Sequence, residues 1–386
     1  MKRIEAVLRQ QEMMCVEASG DSTHRKLYAS LYGLFRVSLC LLLIITLCSC
    51  SKQQNIRYEI IDIDPSRKIC TYGEAYSINE NGDVAGICSA SSGKLHLFCW
   101  DAEKKTVICG TEVGEDNPVW IDNQQNIIYQ KSPVALWNPS MGREMLLASN
   151  LERIHILGLN NKNQALLGQG GLSSYDTLIW DISENKCVQK IDNFLGKTLN
   201  DKGTIAGAQS YEGTPHAAIL WGDGKISVLD DSPEEWSWAT DINEKNEVIG
   251  WLKEYNGMSF VWSSDKGLRK LGYIQDRHTF FNGGRTKAYS INNKGQVVGW
   301  SSYGTVKGPL IWPIVFRDDG RAFYWDERNG MVDLNQLVNN LGDWERLVEA
   351  FGINDKGQIV GWGFKKGADH KQPFLLTPLI DSQDKK

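Results

Sequence analysis

One short pattern occurs seven times along the 386-residue chain. It consists of Asn, two variable residues, Gly or Asn, one variable residue and then an apolar residue. Repeats spaced by about 20–50 residues indicate solenoids, propellers or arrays, because each copy must adopt the same local structure. The copies lie 37 to 62 residues apart and begin at Asn79, Asn123, Asn160, Asn200, Asn243, Asn292 and Asn354.

The fourth position of the pattern admits only two residue types. It is occupied by Gly82, Asn126, Asn163, Gly203, Asn246, Gly295 and Gly357. A type I turn favours Asn at its first position, and the residue that closes such a hairpin turn commonly has a positive φ. Gly enters that region freely and Asn is the next most tolerant residue. Each copy therefore predicts a β-hairpin, and the 37 glycines of the chain suit many tight turns.

A second element follows each hairpin, and in six of seven copies it is an apolar stretch that ends in Trp. A polar turn and one more apolar strand come next, so each unit has four short strands. Four strands in about 40–45 residues are typical of a propeller blade. Two units carry insertions, around 309–320 and at 335–349, and the second has apolar residues at helical spacing. The Trp-ended stretches are residues 96–100, 133–137, 176–180, 217–221, 258–262 and 321–325, with 372–376 ending in Leu.

The seventh unit lacks a fourth strand, and residues 57–63 form a strand-like segment that belongs to no blade. If residues 57–63 complete the last blade, the ring closes and its exposed sheet edges disappear. We therefore expect an all-β, seven-bladed β-propeller over residues 57–379, with a polar tail at 380–386. Six or eight blades stay open if the degenerate second unit is misread.

Residues 37–49 form an apolar run behind basic residues, shorter than the roughly 20 residues of a spanning helix. The run ends Leu47-Cys48-Ser49-Cys50, which resembles a bacterial lipobox. The resemblance implies that residues 1–49 are a signal peptide, that Cys50 is lipidated and that 50–56 form a linker. It further implies an exported cell-envelope protein, either in the outer membrane or at the cell surface. An uncleaved anchor and a plain signal peptide are the alternatives.

The repeat pattern with its Trp-ended strand also resembles the HAF family of extracellular repeats. Residues 291–299, 353–361, 96–100 and 321–325 carry the resemblance best. The His that opens the family's strand motif is kept here at His96 alone. The resemblance implies an exported β-repeat protein, but it implies no reaction.

No linear motif of catalysis, cofactor binding or metal binding is present. Lysines sit inside five of the turns, which argues against calcium loops built from carboxylates. A net charge of −5 excludes a strongly basic nucleic-acid binder. We therefore expect no cofactor, no metal and no nucleic-acid partner, and we assign no catalytic residue.

Three tryptophans directly follow a repeat glycine: Trp251, Trp300 and Trp362. They form either an aromatic ligand platform on one rim of the ring or packing between blades.

Pairs are expected among cysteines in an oxidising envelope. Cys88 and Cys99 flank a turn and are candidates for a disulfide, which would leave Cys70 to pair with Cys109 and Cys187 free. Five buried thiols are the alternative.

These observations favour a monomeric, lipid-anchored binding scaffold of the cell envelope, with protein or glycan as its ligand. A propeller hosts many functions, so the fold alone does not name one. Two further hypotheses remain open at this point. One is a polysaccharide-acting lyase or hydrolase, and the other is an outer-membrane assembly factor.

Overall fold

The computed structural model describes residues 56–379, apart from 64–69, 91, 115–117, 172–173, 212–213, 230–235, 254–256, 275–284, 303, 308–314 and 319. The predicted signal peptide, Cys50 and the tail at 380–386 lie outside the described residues. Within them, seven four-stranded antiparallel sheets follow one another along the chain. The predicted seven-bladed β-propeller is therefore confirmed.

The blades are numbered in chain order, and β1 (Tyr58–Asp62) precedes the first. Blade 1 consists of β2 (Cys70–Ile78), β3 (Val84–Ala90), β4 (Leu95–Asp101) and β5 (Thr106–Val113). Blade 2 consists of β6 (Trp120–Ile121), β7 (Ile127–Tyr129), β8 (Val134–Asn138) and β9 (Arg143–Leu147). Blade 3 consists of β10 (Ile154–Leu159), β11 (Gln164–Gly171), β12 (Ser174–Asp181) and β13 (Lys186–Ile191).

Blades 4 and 5 are β14 (Phe194–Leu199), β15 (Ile205–Tyr211), β16 (Thr214–Leu220) and β17 (Ile226–Val228), then β18 (Ser237–Ile242), β19 (Val248–Leu252), β20 (Met258–Ser263) and β21 (Gly267–Lys270). Blade 6 is β22 (Thr286–Ile291), β23 (Val297–Ser301), β26 (Arg321–Asp326) and β27 (Gly330–Asp333), interrupted by the hairpin β24 (Gly304–Lys307) and β25 (Val315–Asp318). Blade 7 has β28 (Trp344–Ile353), β29 (Ile359–Lys365) and β30 (Gln372–Pro378) from the end of the chain.

The fourth strand of blade 7 is β1, as the sequence predicts. It pairs antiparallel with β30, with Tyr58 opposite Pro378 and Asp62 opposite Phe374. Tyr58 is 1% exposed and packs in the apolar cluster shared by blades 6 and 7. Both ends of the described chain therefore meet in one sheet, and β1 gives the last blade its fourth strand.

The tryptophans of the third strands pack between blades. Trp137 of β8 lies in the cluster that holds Ala85 and Leu97 of blade 1, and Trp180 of β12 lies in the cluster that holds Val134 of blade 2. Both tryptophans are buried, at 7% and 3% exposure. Because Trp→Ala in such a site costs about 3–5 kcal/mol, the repeated Trp is a main support of the ring.

The repeat turns have the predicted left-handed residue, with φ between 60° and 99° at Gly82, Asn163, Gly203, Asn246, Gly295 and Gly357. Blade 2 differs from the prediction by one residue. There Asp122 takes the first position, with its N–H donating to the carbonyl of Asn126, and Gln125 adopts the positive φ of 62°. An Asp carboxylate accepts the same turn N–H groups as an Asn amide, so the motif is preserved without Asn.

A ring of hydrogen bonds joins the first positions of successive turns. The side-chain amide of each repeat Asn donates to the main-chain carbonyl of the first residue in the next turn, at 2.9 to 3.2 Å. Asp122 has no amide to donate, so the link from blade 2 to blade 3 is missing. Six of seven blades are thus tied to the next by a buried asparagine, from Asn79, Asn160, Asn200, Asn243, Asn292 and Asn354.

A second ring joins the residues that follow, and it is complete. Each second-position side chain accepts from the main-chain N–H of the second-position residue in the preceding turn, at 2.7 to 3.0 Å. All seven side chains carry an amide or carboxylate oxygen. The members are Glu80, Asn123, Asn161, Asp201, Glu244, Asn293 and Asp355, and the bond from Asp355 to Glu80 closes the ring.

The insertion at 335–349 contains a shorter helix than its apolar spacing predicts. Helix α1 spans Leu334–Leu337, and Trp344 already begins strand β28. The strand has three register shifts, after Trp344, Leu347 and Ala350. Each bulge adds a residue, so buried side chains recur about every three positions and imitate helical spacing.

Candidate functional site

The three tryptophans predicted as a platform line one cavity. It has a volume of about 870 Å³ and lies at the end of blades 5, 6 and 7 away from the repeat turns. Trp251 and Trp300 are half-buried, and Trp362 is 8% exposed. The structure therefore brings Trp251, Trp300 and Trp362 together. We call this cavity the aromatic pocket.

Each of these tryptophans faces a first-strand residue across one sheet. Trp251 is opposite Trp238, Trp300 is opposite Lys287, and Trp362 is opposite Glu349. A glycine precedes each Trp because the first strand passes very close at that point. A Cβ at Gly361, for example, would lie 1.9 Å from the main-chain oxygen of Glu349. The glycine thus allows the first strand to approach closely, and the Trp that follows it places an indole in the aromatic pocket, at the end of the channel that we call the channel mouth.

The aromatic surface extends beyond the three tryptophans. The rings of Trp238 and Trp251 stack at 4.5 Å with an interplanar angle of 21°, and Trp236 meets Trp238 edge-on. The ammonium of Lys253 lies 3.7 Å from the centroid of the Trp236 ring. Stacked indoles present flat faces, which bind other flat or C–H-bearing surfaces.

Cationic side chains line the same pocket. Arg285 and Lys287 are exposed at its wall, and Arg346 lies with its guanidinium 5.0 Å from the ring of Phe364. The ammonium of Lys371 lies 4.6 Å from the ring of Trp362. Arg and Lys pair with carboxylate, sulfate or phosphate groups of ligands, so the pocket suits an anionic partner.

Glu349 is the carboxylate of the pocket. Burial raises its pKa, and the negative charge of Glu74 raises it further, while a 3.1 Å hydrogen bond from the indole N–H of Trp362 opposes both effects. The hydroxyl of Tyr289 donates to Glu349 at 3.4 Å, and burial raises the pKa of Tyr289 as well. Two carboxylates and a phenol therefore converge at the mouth, with Lys371 paired to Glu74.

Sequence reasoning missed the charged residues of this site. A signal was present, because Glu74, Trp238, Lys287 and Glu349 each stand five residues before the first residue of a repeat turn. They are therefore equivalent positions of the first strands. A comparison of this position across the repeats shows that its residue type varies from blade to blade, whereas the residues of the turn are nearly constant.

The predicted Cys88–Cys99 disulfide is wrong. Cys88 is disulfide-bonded, whereas Cys99 is a buried free thiol. In the hairpin of blade 1, Cys88 is opposite His96 and Cys99 is opposite Ala85, three positions away. An odd offset places the two side chains on opposite faces of the sheet. Cys109 is also a free thiol, so the suggested Cys70–Cys109 pair is not formed; Cys187 is free, as expected.

Two further findings concern the described part of the chain. Within it, no three His, Cys, Asp or Glu side chains are grouped so that they could hold a metal ion. Among the same residues, no helix has the length and apolar character needed to cross a membrane.

A family model described as a protein of unknown function (DUF3466) matches residues 198–383. No curated protein matches the chain. The matched region begins within β14 of blade 4 and includes strands β15 to β30, with all three platform tryptophans.

Solved structures with a similar fold include three at low sequence identity. The β-propeller domain of the Trilobed protease from Pyrococcus furiosus has a TM-score of 0.54 and 11% identity, over 81% of this chain and 99% of that one. Oligogalacturonate lyase from Vibrio parahaemolyticus has a TM-score of 0.54 and 10% identity, over 85% and 98%. Acylaminoacyl peptidase from Pyrococcus horikoshii has a TM-score of 0.52 and 10% identity, over 84% and 54%. At this level of identity the likeness shows the β-propeller fold alone.

Proposed function

We propose that this chain is an exported, lipid-anchored protein of the cell envelope whose β-propeller binds glycan at the aromatic pocket. The observation that carries the proposal is the row of cross-strand pairs Trp238–Trp251, Lys287–Trp300 and Glu349–Trp362. The pairs place indole faces and charged groups side by side over one cavity. The C–H faces of sugar rings pack on indoles, and charged groups fix the orientation of the ligand.

Export and anchoring rest on the sequence. The apolar run at 37–49 and the lipobox-like Leu47-Cys48-Ser49-Cys50 support them, as does the resemblance to HAF repeats. The disulfide at Cys88 is consistent with an oxidising compartment, where such bonds persist. Lipid acyl chains on Cys50 would hold the protein at a membrane surface.

Anchoring is tested by fractionating cells that express the full chain or Cys50→Ala. We expect the full chain in the membrane fraction, labelled by a fatty acid, and an unlabelled Cys50→Ala chain that leaves the membrane. Equal labelling and fractionation of the two chains would exclude a lipid anchor on Cys50.

Glycan binding is tested by probing an array of neutral and acidic glycans with the purified protein. Because Arg285, Lys287 and Arg346 line the pocket, we expect acidic glycans to be retained and their neutral counterparts to bind more weakly. A pull-down from envelope extracts tests the protein-scaffold version of the hypothesis. Retention of proteins without retention of any glycan would favour that version.

A polysaccharide-acting enzyme is the second candidate, and the group of Glu349, Tyr289 and Glu74 favours it. Paired carboxylates perform glycoside hydrolysis, and a raised carboxyl pKa suits a general acid. The similar fold of an oligogalacturonate lyase is compatible with this candidate but shows only the fold. Incubation with acidic oligosaccharides and detection of new reducing or unsaturated ends tests it. Cleavage by the wild type and none by Glu349→Gln would support the enzyme.

A further inference from the structure

The interior of the propeller channel holds a second candidate site, which adjoins the aromatic pocket and shares Thr240 and Tyr289 with it. In six blades the first strand has a register shift that adds one residue three positions before the repeat turn. Together with their counterpart in blade 2, these residues line a cavity of about 600 Å³ on the channel axis. In blade order they are Tyr76, Val119, Leu157, Lys197, Thr240, Tyr289 and Phe351.

One arc of this lining is aromatic. Tyr76 and Phe351 stack with ring centroids 5.0 Å apart at 26°, and Tyr289 meets Phe351 at 5.1 Å and 59°. The three rings belong to blades 1, 7 and 6, which are neighbours in the ring. They form a continuous apolar wall with rings that a flat ligand can contact.

Among the described residues that line the cavity, one carries an ammonium, and it stands across the channel from that arc. Lys197 belongs to blade 4, which lies opposite the junction of blades 7 and 1 in a seven-bladed ring. Among the described residues, Lys197 has neither an ion-pair nor a hydrogen-bond partner. Its side chain stays accessible because the channel is open, yet the surrounding walls desolvate it and lower its pKa.

The carboxylates near the channel are engaged elsewhere. Asp241 of blade 5 accepts from the main-chain N–H of Ile291 at 3.0 Å and from the hydroxyl of Thr198 at 3.3 Å. The four acidic members of the second hydrogen-bond ring, at the turn end of the channel, each accept a main-chain N–H. Lys197 faces the channel with no counter-ion among the described residues, so an anion from solution would be stabilised beside its ammonium.

We propose that the channel binds a small aromatic carboxylate, with its carboxylate on Lys197 and its ring on the arc of Tyr76, Phe351 and Tyr289. The cavity volume lies in the range of small-molecule sites. Lys197 is the one cationic residue of its described lining, whereas the five carboxylates of the lining each accept a main-chain N–H. One cation matches a monoanion, whereas a phosphate would leave charge unpaired.

Calorimetric titration of the purified protein with phenylacetate, phenylacetamide and phenethylamine tests the proposal. We expect phenylacetate to bind at least tenfold more tightly than the neutral amide and the amine to bind weakest. Equal affinities for acid and amide would overturn the proposal, as would an absence of phenylacetate binding.

Three variants assign the groups. Lys197→Met should weaken phenylacetate binding at least tenfold and leave phenylacetamide unchanged, whereas Phe351→Leu should weaken both. Lys162→Met is the matched control, because Lys162 is an exposed lysine of a repeat turn. Unchanged phenylacetate binding in Lys197→Met, with the native melting curve retained, would overturn the assignment. If Lys197→Met does not fold, Lys197→Gln provides the same comparison.

Discussion

The side-chain amide of Asn354 donates a 3.0 Å hydrogen bond to the main-chain carbonyl of Asn79, and this bond joins the last blade to the first. The two residues are the seventh and first copies of one repeat position. Beside them, the N–H of Asp355 donates to Glu80. The propeller is thus closed twice between its last and first blades, by strand β1 in the sheet of blade 7 and by the turn residues at the turn end of the channel.

Removing the amide of Asn354 should destabilise the ring. Asn354→Asp keeps the oxygen that accepts the turn N–H of Gln358 but loses the donations to Asn79 and to the side chain of Gln358. Asn354 is 2% exposed, so we expect the free energy of unfolding to fall by about 1–3 kcal/mol in urea denaturation. Asn340→Asp is the matched control at an exposed turn, and an equal loss there would contradict the role of the ring.

The missing link at blade 2 can be restored. The side-chain carboxylate of Asp122 accepts a hydrogen bond from the side-chain amide of Asn126. In Asp122→Asn alone, an NH₂ group of residue 122 would face the NH₂ group of Asn126 with no acceptor between them, so we expect this variant to lower the free energy of unfolding. Adding Asn126→Asp reproduces the Asn79–Asp83 pair of blade 1 and retains the bond that residue 126 accepts from Asn138. We expect the double variant to be at least as stable as the wild type. A double variant less stable than Asp122→Asn would refute this reading of the ring.

Asp241 should make stability depend on pH. Burial raises its pKa from 3.8 to about 6. Because the folded-state pKa lies above the unfolded value, the protonated group stabilises the fold below about pH 4, and this contribution is lost as the pH rises through about 6. At about 1.4 kcal/mol per pKa unit, the loss is about 3 kcal/mol.

Chemical denaturation of the wild type and Asp241→Asn across this range measures the effect. The stability of the wild type relative to the variant should decline between about pH 4 and pH 7. The exposed Asp223→Asn is the control and should run parallel to the wild type. Parallel curves for Asp241→Asn would show that Asp241 does not titrate in this window.

The three free thiols within the described residues should differ in reactivity. Cys187 is exposed, Cys109 is half-buried with its pKa raised by burial, and Cys99 is buried with its pKa raised to about 12. Since the thiolate is the nucleophile, iodoacetamide should label native Cys187 first and Cys99 only after unfolding. Peptide mass spectrometry without reduction follows this order, and early labelling of Cys99 would contradict its burial.

The fold was predictable because each repeat states its own turn and strands. The count of units and the unpaired strand at 57–63 together gave seven blades and their closure by β1. The one-residue shift of the repeat turn in blade 2 was not predicted, because Asp122 and Gln125 replace the Asn and Gly that mark the turn in other blades. The bulges of β28 escaped too, since a bulged strand and a helix can show the same apolar spacing.

The site was only partly predictable. Trp251, Trp300 and Trp362 stand out because they follow the repeat glycines. Glu349 and Lys287 do not stand out in the sequence. Their place in the pocket depends on pairing with Trp362 and Trp300 across strands that contain a bulge. Local patterns therefore reveal the scaffold, while the charged residues at the channel mouth differ from blade to blade and need the assembled ring.

Titration of the purified protein with the best acidic glycan from the array tests the central claim most directly, with wild type beside Trp251→Ala and Trp300→Ala. Both tryptophans are half-buried, so the variants should keep the melting temperature within a few degrees. We predict at least a tenfold loss of affinity in each variant. We expect no change in the control Trp221→Phe, because Trp221 directly follows β16 and packs against the cluster shared by blades 4 and 5. Unchanged affinity in folded Trp251→Ala and Trp300→Ala would contradict glycan binding at the aromatic pocket.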